Sequence, residues 1–340
     1  MNRMKAIWWT GKNKIELVDV PIPEVRPGMV KIKLSYAALC ATDLHMVSFG
    51  AMNAVMREGG QCLGHEGSGI IEEIGPGAEN SGLSIGDKVV MFPGSPCGVC
   101  DNCKNGLRQY CRNASRGNTF CEYTVMAPSG VYKIPKEADM QQYALVEPTV
   151  CTIRAMDLSP IHHGQTVFIS GIGAIGSILL NMVILSGASK ITVSDPVLQK
   201  RENSLSMGAL YAVDPKSENV YERGMEITNG KGYDHVFEVS GVAQAAPVCI
   251  DLLAKCGTAT YFAVYPPSYN LLVNLHDLYM KEGRIHTVFT NPDIMPRAID
   301  LIPRIQTDRI ISKIFDLKDG MQAIEAFNSS IYQKILLKCN

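Results

Sequence analysis

The stretch TVFISGIGAIGSILLNMVILSGA, Thr166 to Ala188, restricts the fold of this 340-residue chain more than any other segment. It is long and apolar enough to imitate a membrane span. Its glycines and Asn181 argue against that reading, because they divide it into a β-branched and aromatic strand, a tight turn and a helix. The texture continues past it: TVFIS, KITVS, HVFEVS and TATYFAV read as strands, and residues 175–185, 199–207, 219–227 and 243–253 as helices. Strands alternating with helices of that length predict an α/β fold with a doubly wound parallel sheet.

The first part of the chain has a different rhythm. From Met4 to about Pro135, short β-rich runs (KAIWW, KIELVDV, VKIKLSY, GSGIIEEI, KVVMF) are separated by glycine and proline, the pattern of an antiparallel β domain. After Glu282 the alternation is lost, and DLKDGMQAIEAFNSSIYQKILLKC reads as a helix followed by a strand. Length alone suits two domains. A net charge of -1 and a charged fraction of 19% leave no electrostatic footprint for nucleic acid or anionic lipid. The opening residues MNRMKAIWWTGKNK contain no apolar core of signal-peptide length, which points to the cytoplasm. In that reducing compartment the eleven cysteines are expected as thiols or metal ligands, with disulfides the weaker alternative.

Gly171, Gly173 and Gly176 follow a strand directly and open a helix, with Ala174 and Ile175 between them. Such glycines permit a tight turn, close approach of backbone to a pyrophosphate, and close packing of helix on strand. The helix start offers unpaired N–H groups to the phosphates. Asp195 ends the next strand 19 residues past Gly176, where a carboxylate accepts the adenosine ribose hydroxyls and repels a 2'-phosphate. NAD is thus favoured over NADP. Lys200 can reach the ribose or phosphate, or stand as a solvated surface lysine.

Cys97, Cys100, Cys103 and Cys111 occupy one short loop. A ferredoxin-type cluster is disfavoured because no proline follows Cys111. A redox pair is expected beside a thioredoxin-like unit, not in β-rich sequence. Four thiolates can instead close a tetrahedron around Zn2+ at about 2.3 Å each, a structural site with no open position. A second ligand set is scattered: Cys40, His65, Glu66 and Glu147. A thiolate, an imidazole and one carboxylate would hold Zn2+ and leave a fourth position free, which defines a catalytic zinc. Taken singly, each residue also has an ordinary explanation as core or surface.

The strings containing these residues decide between the two. CATDLH resembles the C-G-T/S-D-x-H of zinc-dependent medium-chain alcohol dehydrogenases, and LGHEGSGIIEEIG resembles their G-H-E-x-x-G. The cysteine loop, the GIGAIG turn with its acid, and the closing AIEAFNSSIYQKILL are similar to theirs in the same order. The resemblance implies a GroES-like β-rich catalytic domain, residues 1–148 and 284–340, interrupted by a Rossmann NAD-binding domain, residues 149–283. It implies two Zn2+ per chain, one catalytic and one structural, and NAD in the cleft between domains. Thr42 would then take the substrate proton and pass it through the nicotinamide ribose to His45; its alternative role is a helix-start cap.

Glu147-Pro148 resembles the branch containing sorbitol, other polyol and threonine dehydrogenases, where an acid replaces a second cysteine. Three features depart from that branch. Phe289-Thr290-Asn291 lacks the arginine that helps bind a polyol, and the route from Cys111 to Phe120 is short. Met46, Phe49, Met52 and Met56 would favour a less polar or bulkier secondary alcohol if they line the pocket, or are ordinary core. The expected activity is NAD- and zinc-dependent oxidation of a secondary alcohol to a ketone, and the reverse, by a homodimer or homotetramer. L-threonine or a bulky cyclic alcohol are alternative substrates, while a zinc-free reductase and a non-catalytic NAD-binding relative remain the rivals. Either Glu66 or Glu147 serves as the metal's carboxylate.

Overall fold

The computed structural model describes residues 2–50, 56 and 58–340. Two compact units emerge, one of Met1–Val150, Thr290–Ser330 and Lys334–Asn340, the other of Cys151–Phe289 and Ile331–Gln333.

The first unit is built on β1 (Arg3–Gly11), β2 (Lys14–Pro21), β3 (Val30–Ala38), β4 (Gln61–Cys62), β5 (Glu66–Ile74), β6 (Lys88–Met91), β9 (Tyr123–Met126), β10 (Val131–Lys133), β17 (Ile311–Asp316) and β18 (Lys334–Lys338). One sheet runs β2-β1-β4; the larger runs β10-β6-β5-β3-β18-β17, with β9 also pairing with β3. All these pairings are antiparallel except β17 with β18. In β3, alternate residues Val30, Ile32 and Leu34 are buried, so its period-2 pattern turns one face to the core with Ile7, Ile71, Met91 and Phe120. Strands β7 (Gly94–Ser95) and β8 (Ser115–Arg116) pair to frame the cysteine loop, which holds α2 (Asp101–Lys104). Other helices of this unit are α1 (Ala41–Phe49), α3 (Met140–Tyr143), α10 (Met295–Leu301), α11 (Thr307–Ile310) and α12 (Gly320–Asn328). α4 (Val146–Leu158) carries the chain into the second unit.

There, β11 (Val167–Ser170), β12 (Ile191–Ser194), β13 (Tyr211–Val213), β14 (Tyr233–Glu238), β15 (Leu253–Tyr261) and β16 (Arg284–Thr287) alternate with α5 (Ala174–Leu185), α6 (Leu198–Met207), α7 (Val220–Ile227), α8 (Ala245–Asp251) and α9 (Leu275–Lys281). The sheet is wholly parallel in the order β13-β12-β11-β14-β15-β16. Every residue of β11 and β12 is buried, as continuous apolar runs covered on both faces require. This is the doubly wound Rossmann arrangement, whose order reverses between β11 and β14.

The boundary expected at 283/284 falls one strand early. Arg284–Thr287 pairs in parallel with β15 and belongs to the second unit. Its sequence RIHT is too short and polar to display a period, so only the pairing identifies it. No helix among the described residues is long and apolar enough to cross a membrane; Thr166 to Ala188 is a four-residue strand, a turn and a 12-residue helix.

Candidate functional site

In the first unit β3 lies between β5 and β18, which sets Ala38 level with Glu66 on one side and with Leu336 on the other. That row gathers residues distant in sequence. Cys40 follows β3 and stands at the N-cap of α1, His65 precedes β5, Glu66 opens β5, and Lys334 opens β18. Ligand atoms of Cys40, His65 and Glu66 lie within 4.8 Å of one another. Glu147, buried in the first turn of α4, stands outside that set but feels the charges of His65, Glu66 and Lys334.

His65 Nδ1 is 3.0 Å from Oδ1 of Asp43, which also accepts from the Gly64 amide at 3.0 Å. Asp43 thereby orients the ring and leaves Nε2 as the nitrogen available to a metal. Burial pulls the His65 imidazole down, yet Asp43 and Cys40 outweigh it and hold the ring well above its usual range. Burial also pushes the Glu147 carboxyl up to about 7, with Glu66 and Asp43 adding to the shift and His65 and Lys334 opposing it. The donor set is half-buried at Cys40 and His65 and buried at Glu66, and its sulfur, nitrogen and oxygen together suit Zn2+.

Thr42 and His45 sit three residues apart on α1, hence on one face. The cap position falls to Cys40, so Thr42 is not the helix cap. His45 is half-buried, its Nδ1 has no hydrogen-bond partner among the described residues, and burial lowers its pKa. Its ring lies 4.8 Å from that of Phe49. Met46 packs against the core of the first unit, and Met56 is exposed. Met52 lies outside the described residues.

Ligand atoms of Cys97, Cys100, Cys103 and Cys111 also lie within 4.8 Å of one another. The Cys97 amide donates to Cys111 Sγ at 3.3 Å and the Cys100 amide to Cys97 Sγ at 3.4 Å. Backbone donors at Cys103 and Arg112 lower the Cys100 thiol to about 6. Amides that stabilise thiolates prepare a loop for a cation held by sulfur alone.

In the second unit the glycine turn leaves β11 at the reversal of strand order, and Gly173 stands at the N-cap of α5. Asp195 bridges two loops: Oδ2 accepts from the Ile172 amide and Oδ1 from the Val197 amide, both at 2.9 Å. Lys200 is not a solvated surface lysine. It is only 8% exposed, and burial lowers its pKa while Asp195 opposes the shift.

Three residues had no assigned role in the sequence. Asp43 and Lys334 lie inside strings quoted for other reasons, and an unassigned carboxylate in CATDLH was the available signal for Asp43. Arg201, which donates to the Asp195 carbonyl at 2.7 Å and pairs with Asp214 at 3.0 Å, had no signal beyond its place one residue after Lys200.

A doubly wound coenzyme sheet, and a β-rich unit carrying one all-sulfur and one mixed donor cluster, together define a zinc-binding dehydrogenase. Residues 26–136 match the alcohol dehydrogenase GroES-like domain and residues 174–304 the zinc-binding dehydrogenase domain, so the chain belongs to the zinc-dependent medium-chain alcohol dehydrogenase family. It is 31% identical to the L-threonine 3-dehydrogenase of Pyrococcus abyssi over 76% of this chain and 75% of that one. It is 25% identical to the sorbitol dehydrogenase of Bacillus subtilis over 95% and 93% of the two chains. A zinc-binding dehydrogenase from Sinorhizobium meliloti 1021, solved bound to NADP, superposes with a TM-score of 0.91 at 29% identity, covering 99% of this chain and all (100%) of that one.

Proposed function

We propose that this protein oxidises a secondary alcohol, polyol-like or other, to a ketone with hydride transfer to NAD, and catalyses the reverse reduction. The observation that carries the reading is the convergence of half-buried Cys40 and His65 with buried Glu66 in one cluster, with Glu147 close enough to feel its charges. Cys40, His65 and one of the two carboxylates would hold the catalytic zinc, and Cys97, Cys100, Cys103 and Cys111 the structural one. When bound, the zinc supplies positive charge that acidifies an alcohol, and NAD accepts the hydride. The chain's own residues do the rest. Asp43 fixes the His65 ring, Thr42 accepts the alcohol proton, and His45, kept neutral by burial, receives it on the way to solvent. Gly171, Gly173, Ala174, Ile175 and Gly176 would cradle the pyrophosphate, while Asp195 and Lys200 face the adenosine ribose.

L-threonine is the second substrate reading, supported by the Pyrococcus relative and by the missing arginine at Phe289-Thr290-Asn291. A homodimer or homotetramer is proposed from the second unit. There β16 is an edge strand, and Leu272, Leu275, Tyr279 and Met280 on and before α9 are 62% to 93% exposed. Eleven cysteines with no disulfide among the described residues support a cytoplasmic setting.

The test is a panel of diols, polyols, L-threonine and bulky cyclic alcohols read by NADH absorbance, alongside zinc analysis. Two zincs per chain with NADH formed from at least one secondary alcohol supports the reading. NADH binding with no alcohol oxidised, at full zinc loading, refutes it.

A further inference from the structure

Parallel sheets covered on both faces are built from continuous apolar strands, and one corner of the second unit's sheet breaks that rule. In the register of β14, β15 and β16, His235 stands level with Thr258 and Thr258 with Arg284; one row on, Phe237 stands level with Thr260 and Thr260 with His286. Side chains two apart on a strand share a face, so Thr258, Thr260, Arg284 and His286 form one polar surface. The opposite face carries Ala259 and Ile285, which pack in an apolar cluster with Leu278 of α9. Thr260 is fully buried, yet its Oγ1 has no hydrogen-bond partner among the described residues. A face that served only for packing would not keep a hydroxyl there at such a cost.

This surface borders a cavity of about 320 Å3, whose wall includes His162, Asp234, Thr258, Arg284 and His286. The volume is at the small end for ligand pockets. The cavity lies at the amino-terminal ends of β14 and β16, whereas the glycine turn follows the carboxyl-terminal end of β11, so the two are separate.

The acceptors on this wall are already engaged. Gln165 Oε1 takes the His162 amide at 2.8 Å and His235 Nε2 at 2.9 Å. Asp234, the one acid on the wall, accepts at Oδ2 from the amide and hydroxyl of Thr166 at 2.8 and 2.9 Å. What remains is a set of donors. Among the described residues Arg284 has no ion pair, and its one hydrogen bond, to the Cys256 carbonyl, is long at 3.4 Å. The side chains of His162, Thr258 and His286 make no hydrogen bond there at all. Among the described residues only the two cysteine-containing clusters of the first unit bring three or more ligand atoms within 4.8 Å, so these histidines do not form a metal site.

We propose that this cavity is a further ligand site, which binds a small oxyanion, phosphate or carboxylate, on Arg284 with His162, His286 and Thr258 as supporting donors. An unpaired guanidinium presents its fork to two oxygens of such a group, and the spent acceptors leave nothing for a cation.

Titration calorimetry of the full chain, with NADH saturating the coenzyme turn, tests this with inorganic phosphate and, separately, succinate, against sodium chloride at equal ionic strength. One anion should bind per chain, and Arg284→Gln should weaken it about tenfold or more. Arg284→Lys should recover only part of the loss, because an ammonium offers a point charge and no fork. Binding of phosphate alone identifies a phosphoryl ligand, and of succinate alone a carboxylate. In the wild type at fixed pH, the bound anion should shift the ring signals of His162 and His286 in NMR spectra and leave that of His276, on α9, in place; this arm needs no variant. Failure of both anions to bind, affinity within about twofold of wild type in Arg284→Gln, or an equal shift at His276 overturns the proposal.

Discussion

Replacing each glycine of the coenzyme turn by alanine should produce different failures, because the three positions meet different surroundings. At Gly176 an added Cβ would lie 2.1 Å from the Gly171 carbonyl oxygen, a backbone atom that cannot rotate away. Helix α5 must then back off β11, at or above the top of the about 1–3 kcal/mol typical of overpacking. At Gly171 the backbone has φ of +94°, and a Cβ would meet the Ser240 Cα at 2.8 Å, so strain and collision add. Gly173 differs from both. Its φ of -75° suits any L-residue, and a Cβ would meet nothing within 4 Å. On the protein alone Gly173→Ala should be neutral or stabilising by about 0.4–1 kcal/mol through the unfolded chain. The open space is where a pyrophosphate would approach, so the same methyl should weaken NADH binding by about 1–3 kcal/mol, or roughly fivefold to 150-fold. Thermal unfolding and NADH fluorescence titration of the three variants separate these outcomes. If Gly173→Ala unfolds as early as Gly176→Ala, or binds NADH with wild-type Kd, the assignment of the turn to the pyrophosphate is wrong.

Further expectations concern other parts of the two units. His235, 5% exposed with its ring nitrogens at 2.8 Å from Ser159 Oγ and 2.9 Å from Gln165 Oε1, is pulled by burial from 6.5 to about 4. The unfolded chain then takes up the proton first as pH falls. Stability present above about pH 6.5 should drain away towards pH 4, about 2 kcal/mol of it by pH 5, as read from urea midpoints. A His235 ring that titrates near 6.5 by NMR would contradict this. Cys103→Ser should remove one zinc per chain and expose the loop between Cys97 and Cys111 to protease, leaving the Cys40 centre loaded; loss of both metals would show that the two sites are not independent. If Asp195 faces the ribose as proposed, Asp195→Asn gives up that charge, so NADH affinity should fall about tenfold or more while the preference over NADPH shrinks. An unchanged ratio of the two affinities would remove Asp195 from coenzyme selection.

What the sequence made legible was local. Strand, glycine turn and helix follow one another within Thr166 to Leu185, and every residue needed to recognise them is adjacent. The four cysteines likewise share one loop. The mixed cluster was legible only as a set of candidates, because Cys40, His65, Glu66 and Glu147 are joined by the pairing of β5, β3 and β18 and not by spacing. For the same reason Lys334 was legible only as part of the closing strand's resemblance and not by its role: a lysine opening an apolar strand looks like a solvated end until that strand is placed beside Ala38. Lys200 shows the converse, a residue whose charge suggests the surface and whose position on α6 buries it. β16 escaped because RIHT is apolar at one position only, and its membership in the sheet depends on a neighbour formed by residues 253–261.

The position of β18 bears on how the chain is born. The last strand of the larger sheet to leave the ribosome occupies the slot between β3 and β17. Residues 151–289 form an unbroken run and can complete their own six-stranded sheet during synthesis. The metal-bearing unit must meanwhile wait with a gap in its middle, its backbone donors at β3 and β17 unmatched. A ribosome stalled before Lys334 should therefore display a polypeptide able to grip a nucleotide but not yet an ion at the Cys40 cluster.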